Sequence, residues 1–271
     1  MRVTTRRILQ MKHRGEPIPM ITAYDLASAQ AAERAGIPLV LVGDSLGQTV
    51  LGYESTVRVT LEEMVHHTAA VARGCHTPLV VADMPFLTYR GSEEQALANA
   101  GRLIQEGGAQ AVKLEGGEDV AGAARRMTQA GIPVMGHIGF TPQSLYTLGG
   151  YRVQGRSDEE AGRLLTDALA LEDAGVFAIV LELMPPEVAA NLTARLDVPT
   201  IGIGAGPSCS GQVQVLTDLL GLLDGEPPRH AVKYAALREV IDDALARYAE
   251  DVRESRFPPD AETAAGGPQA G

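Results

Sequence analysis

The 271-residue sequence has no tryptophan, only 4% aromatic residues and only two cysteines, Cys75 and Cys209. Two isolated thiols exclude a disulfide framework and any cysteine-based zinc pattern, and they suit a reducing, cytoplasmic setting. No uninterrupted apolar run approaches the ~18 residues of a membrane span, so no membrane partner is expected. Positive charge is scarce, with 23 Lys and Arg against 34 Asp and Glu and a formal charge of −11. That balance argues against a nucleic-acid face, yet leaves room for a small anion held by one local cation. Aliphatic residues and glycine are abundant: apolar residues make up 45% of the chain and glycines number 30. The first 15 residues hold Arg2, Arg6, Arg7, Lys12 and Arg14 without an acid. No signal-type apolar core follows them, and a short helix with Ile8, Leu9 and Met11 covering an open end of the fold is expected.

Apolar runs ending in polar, turning segments recur along the chain. Leu39–Val42 runs into Gly43-Asp44-Ser45, Pro78–Ala82 into Asp83, and Ala111-Val112 into Lys113-Leu114-Glu115. Pro133–Gly136 ends on His137, and Ala178–Leu181 on Glu182. Such short continuous runs read as strands buried on both faces, hence parallel. Ile18–Ala23 and Pro199–Ile203 complete the clear set, and Val213–Leu216 is a weak eighth strand. Helices are predicted over 27–35, 93–106, 159–174 and 186–196. Thr60 with Glu63, and Ser92 with Gln95, have the spacing of capping boxes. Eight strand–helix units without a composition break predict a single (β/α)8 TIM barrel over residues 1–257, a size close to the usual ~250 residues. The tail 258–271 is Pro-, Ala- and Gly-rich and is expected to be disordered. Two long connections, Gly47–Arg58 and Ile138–Arg156, are expected to cover the site or to form a contact surface.

Parallel strands bring their carboxyl ends to one edge, so Asp44, Asp83, Glu115, His137 and Glu182 should converge there. Three carboxylates from neighbouring strands repel one another unless a cation intervenes. A hard divalent ion with oxygen ligands, Mg2+ above all, answers that need, with Asp44, Asp83 and Glu115 as its ligands. The plainer alternative makes each acid a helix cap at a βα turn. Lys113 shares a sheet face with Glu115 and either pairs with Glu115 or Asp83 or anchors a substrate carboxylate or enolate oxygen. A metal and an ammonium gripping a 2-oxo acid would acidify its neighbouring C–H. Glu182 is then the remaining carboxylate to serve as general base, against the alternative of a solvated turn acid. His137 could bond a substrate oxygen, ligate the metal or simply close a strand end. His66 and His67 face different ways on their helix and make no metal site. Gly202–Gly206 could let a ligand approach the backbone.

With these residues in place, the sequence resembles the ketopantoate hydroxymethyltransferase family from about Thr4 to Pro258. The resemblance rests on ITAYD (21–25), LVGDSLGQTVLGYEST (41–56), HHTAAVARG (66–74), ADMPF (82–86), VKLEGG (112–117), GHIGFTPQS (136–144), GGYRVQGR (149–156), LE (181–182) and IGIGAG (201–206). It implies a (β/α)8 barrel assembled as a homodecamer of two pentameric rings. It also implies transfer of a one-carbon unit from 5,10-methylenetetrahydrofolate to 3-methyl-2-oxobutanoate. On matching positions, Asp44, Asp83 and Glu115 would hold Mg2+, and Asp44, Ser45, Asp83 and Lys113 would contact the keto acid, with Glu182 as proton acceptor. Two positions depart from the family pattern. Ser210-Gly211-Gln212 stands where Asp-Gly-Gln is usual, and Thr217-Asp218 where His-Asp is usual, which points to an altered site wall near strands seven and eight. Two further readings compete: another Mg2+-dependent, enolate-forming lyase or mutase on a small 2-oxo acid, and a barrel retained only for binding or assembly.

Overall fold

Eight parallel strands close on themselves in chain order in the computed structural model, which describes residues 2–226 and 228–258. They are β1 (Ile18–Thr22), β2 (Leu39–Val42), β3 (Leu79–Asp83), β4 (Ala111–Lys113), β5 (Val134–Gly139), β6 (Ala178–Glu182), β7 (Thr200–Ile203) and β8 (Gly211–Gln214). The accompanying helices are α1 (Thr5–His13), α2 (Leu26–Arg34), α3 (Leu46–Thr49), α4 (Leu61–Gly74), α5 (Glu93–Gln105), α6 (Ala121–Gln129), α7 (Leu145–Leu148), α8 (Asp158–Asp173), α9 (Pro186–Arg195), α10 (Leu216–Leu220) and α11 (Leu237–Arg253). This is the expected TIM barrel. The chain divides into two compact units: Met1–Leu216, which holds the whole barrel, and Thr217–Gly271, which holds α11. Beyond Pro258, the tail expected to be disordered lies outside the described residues. Among the described residues no helix is long and apolar enough to cross a membrane.

Local chemistry sets the element boundaries. Asp25 with Ser28 and Thr60 with Glu63 form reciprocal capping boxes at the starts of α2 and α4. At α5 the Ser92 side chain accepts from the Gln95 amide, the N-cap half of the box expected there. The eighth strand lies two residues earlier than its apolar residues indicated. Gly211 and Gln212 pair with β1 and β7, while Leu216 already opens α10. One apolar residue, Val213, is enough for a strand whose backbone bonds on both sides close the barrel. The connection after β2 is folded rather than open, with α3 and a 3-10 turn at Thr56–Arg58 burying Leu46, Gly47, Ser55 and Thr56.

Alternate strand residues point into the barrel and form one apolar cluster. Ile18, Met20, Leu39, Leu41, Leu79, Val81, Ala111, Met135, Ala178, Val180, Ile201 and Val213 pack there with Ile8 and Met11 of α1. The amino-terminal helix therefore covers the amino end of the barrel, as its sequence predicts, although Leu9 is only half-buried. Lys12 ties that cover down. Its Nζ donates to the carbonyls of Thr193, Leu196 and Val198 at 3.3, 2.5 and 2.8 Å, around the carboxyl end of α9 where helical carbonyls lack partners. Replacing Ile8 by Ala should cost about 2–5 kcal/mol of stability through the cavity it leaves. The check is equilibrium urea unfolding, with activity of the folded variant retained, and an unchanged midpoint would remove α1 from the core.

Candidate active site

At the carboxyl end of the barrel the same inward alternation turns from apolar to charged. Leu79 and Val81 are followed by Asp83, Ala111 by Lys113, Met135 by His137, and Ala178 and Val180 by Glu182. The register aligns Asp83 with Lys113 and Gly139 with Glu182. Asp44 lies two residues beyond β2, after Gly43. Glu115 lies two residues beyond β4, held extended by Leu114 N–H donating to Met135 O and Gly116 N–H to His137 O. Asp44, Asp83, Lys113, Glu115 and His137 are each no more than 4% exposed.

Lys113 is the centre of the cluster. Its Nζ stands 3.0 Å from Asp83 Oδ1, 3.7 Å from Glu115 Oε1 and 3.2 Å from His137 Nδ1. His137 then bridges two acids, with Nδ1 3.3 Å from Glu115 Oε1 and Nε2 3.1 Å from Glu182 Oε2. All five residues expected at this edge thus converge around Lys113, Asp44 through its N–H to Asp83 Oδ2 and Glu182 through His137, with the Glu182 side chain 13% exposed. Ser45 does not touch the charged cluster. It is half-buried, with its Oγ 2.9 Å from the Tyr24 hydroxyl. The backbone of β5 must also come very close to β6. Gly139 has φ +95°, and a Cβ there would lie 2.2 Å from the Glu182 carbonyl oxygen, so only glycine lets the two strands deliver His137 and Glu182 side by side.

Burial works on every charge in the cluster. It pushes the Asp44 carboxyl well above the usual range, reinforced by the charges of Asp83 and Glu115 and only partly opposed by Lys113 and Gln143. Burial also raises Asp83, with Lys113 and the Asp44 amide pulling it back. For Glu115 the burial cost is outweighed by the hydrogen bond and charge of His137, by Lys113 and by the Gln143 amide, so it lies below the usual range. Burial would lower Lys113, but Asp83, Glu115 and Asp44 hold its ammonium charged, above the ordinary lysine value. Burial and Lys113 lower His137, yet its contacts with Glu115 and Glu182 outweigh both and raise it to about 9. Its Nδ1 lies between Glu115 and Lys113, and its Nε2 is within ion-pair distance of Glu182 without a directed hydrogen bond.

Two residues of the site had no signal in apolar periodicity. Gln143, on the 3-10 turn Pro142–Ser144, is 4% exposed and donates through Nε2 to Asp44 Oδ2 and through its backbone N–H to Glu115 Oε2. Tyr89, 2% exposed, donates its hydroxyl to Gln143 Oε1 and accepts from the Glu115 amide. Other sequence expectations resolve as packing. Gly206 has φ +78° and sits where a Cβ would come within 2.7 Å of Pro186, which accounts for it at the start of α9. Ser210 exchanges hydrogen bonds with Thr200 at the amino ends of β7 and β8, so that departure lies at the edge opposite the charged cluster.

The donor set fits a hard divalent cation by its chemistry. Three buried carboxylates face one ammonium, and Asp83 Oδ1 has Lys113 within ion-pair distance but no directed hydrogen bond. As the side chains stand, no three His, Cys, Asp or Glu groups among the described residues converge on one metal position. Lys113 and His137 take the facing oxygens of Asp83 and Glu115 instead.

Known proteins resemble the chain at two depths. The family described as ketopantoate hydroxymethyltransferase matches residues 2–260. A 3-methyl-2-oxobutanoate hydroxymethyltransferase from Chloroflexus aurantiacus is 63% identical over 258 residues, 95% of this chain and 91% of that protein. One from Moorella thermoacetica is 57% identical over 257 residues, 95% and 96% of the two chains. Among solved structures, a phosphonopyruvate hydrolase in complex with oxalate and Mg++ has a TM-score of 0.63 at 14% identity, covering 98% of this chain and 92% of that one. A 2,3-dimethylmalate lyase has a TM-score of 0.59 at 17% identity, covering 97% and 92%. At those identities the structural likeness shows the fold alone.

Removing the central ammonium should expose what it balances. Lys113→Met, measured without divalent cations, should lose about 3–5 kcal/mol at neutral pH, because buried acids are left uncompensated. Asp44 and Asp83 already hold their protons more tightly folded than unfolded, and losing Lys113 strengthens that bias. Proton binding then favours the folded variant. Its deficit should be smallest below the unfolded carboxylate pKa of about 4 and should grow as pH rises. A pH-independent deficit in urea unfolding would contradict this electrostatic account.

Proposed function

The chain belongs to the ketopantoate hydroxymethyltransferase family and is a transferase enzyme, and from that premise we propose that it transfers a one-carbon unit from 5,10-methylenetetrahydrofolate to 3-methyl-2-oxobutanoate. The products are 2-dehydropantoate and tetrahydrofolate, a step of pantothenate and coenzyme A biosynthesis. The balance consumes one water, whose oxygen becomes the new hydroxyl. The observation that carries the reading is the buried Lys113, set between Asp83, Glu115 and His137 with Glu182 one imidazole away. Asp44, Asp83 and Glu115 would hold Mg2+, which when bound supplies Lewis-acid stabilisation of a developing oxyanion.

The protein's own groups account for the remaining work. Lys113 attracts the keto acid and favours negative charge on its oxygens in a site from which water is largely excluded. Asp44 and Asp83 would contact the keto acid beside it, Ser45 would border it from its place against Tyr24, and His137 would donate toward a substrate oxygen or hold its neighbours. Glu182 has Oε2 beside His137 and its second oxygen left to take the proton from C3 of the keto acid. The electron pair of that C–H bond then forms the new C–C bond. The second reading, a lyase or mutase that forms an enolate, has its support in fold-level likeness at 17% identity or less, whereas the hydroxymethyltransferase relatives reach 63%. The proposal includes the homodecamer implied by the family and a cytoplasmic place of action.

The test is proton–deuterium exchange at C3 of 3-methyl-2-oxobutanoate in D2O, with and without Mg2+, followed by addition of methylenetetrahydrofolate. Metal-dependent exchange and then folate-dependent 2-dehydropantoate are expected. Exchange without product would favour the lyase or mutase, and neither would leave a binding protein. Glu182→Gln should slow exchange and kcat by roughly 10²–10⁴-fold. An effect confined to KM would make Glu182 a binding group instead.

A further inference from the structure

The three acids at the barrel's carboxyl end share one feature of orientation. Each has a single oxygen fixed by an N–H donor. Asp44 Oδ2 accepts from Gln143 Nε2 at 2.8 Å, Glu115 Oε2 from the Gln143 backbone N–H at 3.0 Å, and Asp83 Oδ2 from the Asp44 backbone N–H at 3.0 Å. The second oxygens of Asp83 and Glu115 face Lys113, and Asp83 Oδ1 lacks a directed hydrogen bond. One residue, Gln143, therefore sets two of the three carboxylates directly. It also bears on the third, because the Asp44 amide that holds Asp83 belongs to a residue Gln143 anchors.

Gln143 is itself fully determined. Its Nε2 spends both hydrogens, one on Asp44 Oδ2 and one on Met84 O at 3.0 Å, and its Oε1 accepts from the Tyr89 hydroxyl at 2.6 Å. A carboxylate and a carbonyl on one side and a hydroxyl donor on the other admit only this orientation of the amide. Tyr89 in turn accepts from the Glu115 backbone N–H at 3.2 Å, so the loop after β3 and the turn after β5 lock on the same acid. An amide is also the only side chain of this length that can donate twice here without adding charge. Glutamate at this position would place a further carboxylate against Asp44 and leave Met84 O without a donor.

We infer that Gln143, braced by Tyr89, is a positioning residue that presets Asp44 and Glu115 for a divalent cation and the keto acid it helps bind. The inference rests on the reading that these acids hold a cation. Outer partners of this kind are worth about 10–100-fold in metal affinity. The experiment is a titration of the full chain with Mn2+, read as the free-ion electron paramagnetic resonance signal, beside KM for 3-methyl-2-oxobutanoate and thermal unfolding without metal.

Gln143→Met, which removes the amide without adding charge, should weaken Mn2+ binding by roughly 10–100-fold and raise KM more than it lowers kcat. Tyr89→Phe, which removes one hydroxyl, should shift both in the same direction by a smaller factor and serves if the first variant does not fold. Gln143→Met or Tyr89→Phe that unfolds earlier but binds Mn2+ as tightly as the parent, with KM unchanged, would reduce the pair to a structural role and overturn the inference alone. A parent protein that binds no Mn2+ and shows no C3 exchange would overturn the cation reading and the inference with it.

Discussion

A single buried ammonium governs the carboxyl end of this barrel. Lys113 stands among Asp83, Glu115 and His137 with almost no access to water, and its charge offsets those of the two acids. Burying unlike charges together costs desolvation that their attraction only partly offsets, so such a cluster is poor evidence of stability and better evidence of use. The cluster is also unbalanced. Asp44, carried well above the ordinary carboxylate range by burial and by its acidic neighbours, marks the surplus of negative charge that a bound cation would relieve.

The barrel separates this tension from the parts that keep it folded. Along β3, Leu79 and Val81 belong to the apolar cluster and only Asp83 to the charged one, and β5 and β6 repeat the change at His137 and Glu182. The period of two that fills the interior also delivers the reactive groups, one layer further along the strands. Packing energy is therefore concentrated toward α1, and electrostatic cost at the opposite end.

Much of this was legible in the sequence because apolar runs ending in a charged residue announce both a strand and its carboxyl edge. Asp83, Lys113, His137 and Glu182 could be placed by counting, and Asp44 and Glu115 followed as residues just past their strands. Gln143 and Tyr89 could not. They lie on irregular connections where no period constrains them, and an uncharged amide in a loop looks like any surface residue until the fold closes over it. The weak eighth strand exists but begins two residues early, for the complementary reason. Its place is set by backbone pairing with β1 and β7, which leaves little trace in side-chain pattern. Ser45, known in the sequence only through the family resemblance, turns its Oγ to the Tyr24 hydroxyl, a side-chain direction that spacing does not specify.

The cover that α1 forms, with Ile8 and Met11 in the barrel interior and Lys12 fastened to the carbonyls around the end of α9, has a kinetic side. Among the described residues, a barrel stopped at its amino end leaves its carboxyl end as the way in. The two reactants of the proposed transfer, meeting beside Lys113, would then queue through that opening, and the smaller would have to reach the floor before the larger stood in the entrance. Traffic of that kind would impose an order on the proposed transfer, with the keto acid arriving first and its elongated product leaving last.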